Sequence, residues 1–139
     1  MPSATYVKYT AAIEPLFEGM NSGTDAWKVA LAATVNAADT TFTPGTTDLP
    51  SAGVGYTAGG AAATTTSATQ SAGTYKLVLA SPAVWTATGA GFTFRYAILW
   101  NSTTSQPVAY WDYGSSQVVA AGETVTVTLD ATGGVFTAS

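Results

Sequence analysis

The sequence predicts an all-β fold, an antiparallel β-sandwich of jelly-roll or immunoglobulin-like type, with a short helix or arm at its N-terminal end. Three observations carry this. Apolar and polar residues alternate in about eight or nine short runs, at the spacing typical of sandwiches and barrels. Clusters of Gly, Pro, Asn and Ser separate the runs. The length, 139 residues, suits one domain that buries roughly two-thirds of its unfolded surface without a disulfide.

The N-terminal stretch differs from the rest. Ile13, Leu16, Phe17 and Met20 fall at i, i+3, i+4 and i+7, the stripe of an amphipathic helix. Pro15 fits as the first residue of a short helix over 15–20, where its missing N–H costs nothing. The other reading is an arm that docks by this apolar face. Gly19 and Asn21-Ser22-Gly23 end the segment. Residues 1–23 are therefore expected as an arm or short helix, and residues 24–139 as the sandwich.

Period two begins at Trp27. In WKVALAATV, Trp27, Val29, Leu31, Ala33 and Val35 share one face, which predicts a strand with one buried side. Residues 36–64 hold Pro44, Pro50 and five glycines and read as a long loop with one short strand near 41–43. A loop of that length is functional, mobile, or a crossing between sheets. Ala62–Gln70 is β-branched and polar, a strand with one wet face. Thr74–Ala80 alternates Tyr75, Leu77 and Leu79 against Lys76 and Val78. Val84–Ala87 is short.

FTFRYAILWN (Phe92–Asn101) has the strongest pattern, with Phe92, Phe94, Tyr96, Ile98 and Trp100 on one face. Val108–Gly114 returns after a hairpin loop, and Gln117–Ala120 is a further short strand. In ETVTVTLDA, Val125, Val127 and Leu129 alternate with threonines. GGVFTA closes the chain.

Composition narrows the function. Cys and His are both absent, which removes thiolate nucleophiles, His-based catalytic pairs and the commonest metal ligands. Four Lys and Arg against eight Asp and Glu give a net charge of −4, too few cations to neutralise many phosphates, so no nucleic-acid partner is expected. No apolar run approaches the roughly 18 residues of a membrane span, so no membrane partner is expected. The start lacks a basic region followed by an apolar one, so no Sec-type signal is expected. Charged residues make up only 9% of the chain, and surface charge is what usually keeps a solitary protein soluble. Such a chain suits a life packed against copies of itself or a partner.

Few residues look chemical. Glu14 and Glu18 sit at i, i+4 on the short helix and read as solvated charge rather than a catalytic pair. Asp112 lies between Trp111 and Tyr113 in a strand, where Asp is disfavoured. A structural bond, from a turn N–H or from Arg95, explains it best. No calcium loop motif is present, and neither a cofactor nor a metal is expected. GVGYTAGG (Gly53–Gly60) is followed by neither Lys nor a helix, so it reads as a loop needing positive φ rather than a phosphate cradle. Asn101-Ser102-Thr103 is a glycosylation sequon that arises often by accident. Exposed aromatics, with Tyr56, Trp85 and Tyr113 as candidates, could stack on sugars or anchor a protein interface. Trp100 and Trp111 read as core.

The phrases WKVAL (Trp27–Leu31), GYTAGGAA (Gly55–Ala62), SAGTYKLVL (Ser71–Leu79), FRYAILWN (Phe94–Asn101), YWDYGSS (Tyr110–Ser116) and AGETVTVTLDATGGVF (Ala121–Phe136), in that order, resemble a family of small virion structural proteins of tailed bacteriophages. The long Ala/Thr/Gly loop around Thr40–Ala63 departs from that family. The resemblance implies a non-enzymatic particle protein, most directly a capsid decoration (cement) protein on the capsid surface. Its partner would be the major capsid protein, and it would be made in the host bacterial cytoplasm. Tail or fibre parts are the alternative within the resemblance, and a carbohydrate- or receptor-binding module is the alternative outside it. Decoration sites on threefold axes and the habit of closed cyclic assembly imply a homotrimer. The candidate interface residues are Ile13, Leu16, Phe17 and Met20 of the arm, with Tyr56, Trp85 and Tyr113.

Overall fold

The computed structural model describes residues 3–139, without the side chains of Leu16 and Phe17. Among the described residues, β1 (Thr5–Lys8) leads through a single 3₁₀ turn (Thr10–Ala12) into helix α1 (Ile13–Glu18). Nine strands follow: β2 (Trp27–Ala32), β3 (Ala61–Ala62), β4 (Thr65–Ser71), β5 (Thr74–Leu79), β6 (Trp85–Thr86), β7 (Phe92–Asn101), β8 (Gln106–Val119), β9 (Thr124–Val125) and β10 (Phe136–Ala138).

All pairings are antiparallel. A five-stranded sheet runs β1-β8-β7-β2-β3, a three-stranded sheet runs β10-β5-β4, and β6 pairs with β9. The fold is the expected β-sandwich with its short N-terminal helix.

Register assigns the faces, because residues directly opposite in an antiparallel pair share a side. Val29 lies opposite Leu99, Leu31 opposite Ala97, and Leu99 opposite Ala109. This face meets the three-stranded sheet, where the Trp27 ring lies edge-on to Phe136 with centroids 6.0 Å apart. The other face carries Ala30, Ile98, Trp100 and Tyr110. The segment 33–60, which contains no strand, covers part of it. Phe42 stacks flat on Trp100 at 4.0 Å, and the Trp100 indole N–H donates to the Gly59 carbonyl at 3.1 Å. Tyr9 lies edge-on to Tyr110 on the same side.

That second layer explains the main departure in β2. Alternation predicts one buried face and a strand reaching Val35. Instead Val29, Ala30, Leu31 and Ala32 are all buried, and the strand ends at Ala32. The small Ala30 and Ala32 leave room for the covering loop. No strand forms near 41–43; the Phe42 N–H donates to the Ser105 carbonyl instead, at 2.7 Å. Residues 36–64 thus form a packed layer rather than a free crossing.

Other boundaries moved for local reasons. The two strands expected over 108–114 and 117–120 are one strand, β8. The register jumps from Asp112 opposite Tyr96 to Gln117 opposite Phe94, so residues 113–116 bulge out. Gly114, at φ 82°, makes that bulge possible. The strand expected from Ala62 breaks after β3, and β4 starts at Thr65. Val127 and Leu129 alternate inward as expected, but ladder pairing stops at Val125. Strand β1 carries no alternation signal and was not predicted.

β1 also changes the picture of the N-terminal segment. It pairs with β8 from Thr5–Asp112 to Lys8–Ala109. Tyr9 and Ala12 are fully buried. Within the stretch expected as an arm, β1, Tyr9 and Ala12 belong to the sandwich. The helix starts at Ile13, two residues before Pro15, because the 3₁₀ turn already supplies its first turn.

Candidate functional site

Most acidic side chains are bound to the protein's own backbone or to Arg95. Asp48 lies buried in the long loop. Its carboxylate accepts the Gly45 N–H at 2.7 Å, the Gly59 N–H at 2.6 Å and the Tyr56 hydroxyl. The same hydroxyl accepts the Leu31 N–H at 3.0 Å. Beyond the two-residue β3, the edge of β2 would otherwise be orphaned; Tyr56 satisfies its N–H, and the Leu49 N–H satisfies the Leu31 carbonyl at 2.9 Å. Burial, then the bond to Asp48, pushes the Tyr56 phenol well above the usual tyrosine range. This clasp fastens the loop to the sheet.

The expected Arg95–Asp112 pairing forms in a two-pronged geometry. Arg95 Nε donates to Asp112 Oδ1 at 2.8 Å and Nη2 to Oδ2 at 3.0 Å. The arginine, then the Gly114 N–H, holds the Asp112 carboxyl below the usual carboxylate range. The pair straddles the β8 bulge. Its side chains are 37% and 27% exposed, so solvent screens the attraction, and the pair sets geometry more than stability.

The remaining caps repeat the pattern. Asp130 accepts the Thr132 and Gly133 N–H groups, which lower its pKa. Glu123 accepts the Ala120 N–H. Asp25 accepts the Asn101 amide at 2.7 Å. That bond buries the sequon: Asn101 is fully buried and its carbonyl oxygen accepts the N–H groups of Thr103 and Thr104. A glycosyltransferase cannot reach it in the folded chain. Glu14 and Glu18 are exposed, as expected of solvated charge. Among the described residues, no group of three or more acidic side chains could hold a metal ion. The GVGYTAGG loop takes positive φ at Gly53, Gly55, Gly59 and Gly60, as its glycines predict.

The candidate interface residues divide. Tyr56 and Trp85 are 3% and 7% exposed, which corrects their reading as surface anchors. They face inward as part of an aromatic cluster in which Tyr56 lies 6.0 Å from Phe92 and 6.3 Å from Trp85. Tyr113 is half-buried, edge-on to Phe94 at 5.4 Å. Trp100 is buried, and Trp111 packs against the core edge-on to Tyr6, in line with their core reading. Met20 is half-buried against the core. Ile13 is 42% exposed. The side chains of Leu16 and Phe17 lie outside the described residues.

Ile13 borders an open groove of about 570 Å³ lined also by Lys8, Ser22, Tyr75, Phe136 and Ala138. The Tyr75 and Phe136 rings, 6.4 Å apart, form an apolar wall. The Ser22 and Tyr75 hydroxyls share a 2.7 Å hydrogen bond. β1 and β10, which end at this groove, are edge strands of the two sheets. The groove is open and mainly apolar, with the Ser22–Tyr75 hydroxyl pair and Lys8 as its polar groups.

No protein-family model, curated protein or solved structure matches the chain.

Lys8, Tyr75 and Phe136 were not singled out from sequence as site residues. They come from three distant segments, and only the edge pairing of β1 and β10 brings them together. Val84 and Val118, 51% and 75% exposed, were likewise missed. Val118 is an outward position of β8, and Val84 lies just before β6, outside any strand.

Proposed function

We propose that the protein is a bacteriophage virion structural protein, a decoration protein that binds the major capsid protein on the outer head surface and stabilises the head. The observation that carries this reading is the use of its charge. Asp25, Asp48, Asp112, Glu123 and Asp130 each bind a backbone N–H, Asn101 or Arg95. Acidic groups committed in this way serve a rigid scaffold rather than a reaction. The resemblance of its sequence phrases to small virion proteins suggests the particle, and the weakly charged, Thr- and Ala-rich composition suits a surface that packs against other subunits.

Bridging explains the benefit to a capsid. Once one contact to the shell has formed, each further contact is intramolecular, so a small rigid body can clamp neighbouring capsomers with weak individual contacts. A homotrimer on a threefold site multiplies that gain. A sugar-binding reading loses support because Tyr56 and Trp85 are interior.

The test is reconstitution. Heads of the phage that encodes the chain, prepared without it, are mixed with the purified protein. Saturable binding to heads and a higher temperature of head disruption are expected. Binding to isolated tails alone, or no binding to either, refutes the decoration reading.

A further inference from the structure

We infer that a second copy of this chain seats its helix α1 in the groove between β1 and β10. This inference rests on the reading that the protein works by assembling with copies of itself.

The argument starts with unmatched groups. Three of the four cations have an internal partner. Arg95 binds Asp112, Lys76 donates to the Thr132 carbonyl at 2.8 Å, and Lys28 sits over the Trp100 ring. Lys8, in the groove wall, forms no hydrogen bond or ion pair among the described residues. Three of the eight acidic residues, Glu14, Glu18 and Asp39, likewise have no side-chain partner among the described residues; Asp39 lies half-buried in the long loop, while Glu14 and Glu18 are both exposed on α1. The groove therefore offers an apolar wall with one free ammonium. The helix offers an exposed apolar side chain, Ile13, with a carboxylate next to it and another four residues further on. The two are complementary in polarity and in charge.

The groove also lacks an internal cover. Tyr75 and Phe136 line it, and Ile13 stands at its rim with 42% of its surface exposed. Donor and receptor are thus neighbours on one patch. Such a patch closes on itself in a cyclic assembly, where each helix enters the next groove and no copy is left with an open end. Two copies on a twofold axis or three on a threefold axis both satisfy this.

The test is the mass of the full chain by light scattering and sedimentation equilibrium across the micromolar range. A multiple of the single-chain mass is expected. Ile13→Asp and Lys8→Glu should each weaken association by about tenfold or more. Both positions are exposed, and an unchanged far-ultraviolet spectrum and melting temperature establish that each variant is folded. The Glu14→Lys/Glu18→Lys double variant should associate poorly alone, and mixing it with Lys8→Glu should restore mixed assembly. A wild-type chain that stays monomeric, or an assembly indifferent to Ile13→Asp, overturns the inference. A monomer that still binds heads overturns the groove contact and leaves the decoration reading standing; an assembly that ignores heads does the reverse.

Discussion

Replacing Tyr56 with Phe removes one oxygen and keeps the ring against Trp85 and Phe92. Two bonds go with it. The Leu31 N–H, on a fully buried residue, loses its acceptor, at a cost of about 1–3 kcal/mol. Asp48 keeps the Gly45 and Gly59 N–H donors but loses the phenol, and a hydrogen bond to a charged group is worth about 1.5–3 kcal/mol. Because one hydroxyl makes both bonds, the losses are not independent, and the expected total is about 2–4 kcal/mol. For a domain stable by about 5–15 kcal/mol that is a large fraction. Urea unfolding followed by tryptophan fluorescence reads it directly. With a slope near 2 kcal/mol/M, the midpoint should fall by about 1–2 M at unchanged slope. In a double-mutant cycle with Asp48→Asn, the coupling should exceed about 1 kcal/mol. A loss below about 0.5 kcal/mol, or strictly additive losses, would refute the assignment of Tyr56 and Asp48 as the clasp.

Three further outcomes follow from the same geometry. Gly60→Ala should destabilise by more than about 3 kcal/mol in the same assay, because a Cβ at φ 76° would overlap the Val29 carbonyl and the Ala30 backbone. Ala72→Asn should raise stability by about 0.5–1 kcal/mol, seen as a higher melting temperature; Ala72 and Gly73 both have positive φ in the two-residue turn between Ser71 and Thr74, where Asn-Gly is favoured. Stability should also fall as pH rises above about 10, the unfolded tyrosine value. Burial raises the folded values of Tyr9 and Tyr56 above it, so the unfolded chain gives up protons that the folded chain keeps, and the slope is negative. Denaturant midpoints measured from pH 8 to 11 check the sign, with Tyr56→Phe and Tyr9→Phe flattening the curve.

Much of the sandwich was legible because it rests on local alternation. The alternation of β7 could be read from period two, but not the burial of both its faces, with Ala97 and Leu99 toward the second sheet and Ile98 and Trp100 under the loop. The pairing of a lone strand arginine with a strand aspartate was legible from residue type. What escaped reading was long-range. For the long loop, sequence leaves a functional, a mobile and a crossing reading open, because Asp48, Tyr56 and Phe42 gain meaning only when the loop lies on Trp100 and the β2 edge. Tyr56 and Trp85 looked like surface anchors for the same reason: Phe92, which Tyr56 packs against, lies elsewhere in the sequence. β1 is too short and too mixed to show a period, and its place is set by the free edge of β8. The groove depends on β1 and β10 ending side by side, which no local pattern encodes.

Electron cryo-microscopy of purified virions encoded with this chain addresses its role in place. The decoration account predicts a small ten-stranded body on the outside of the head shell, clustered in copies and touching more than one capsomer. Particles whose heads carry no such density, with the chain found only in tails or missing from the virion altogether, would contradict it.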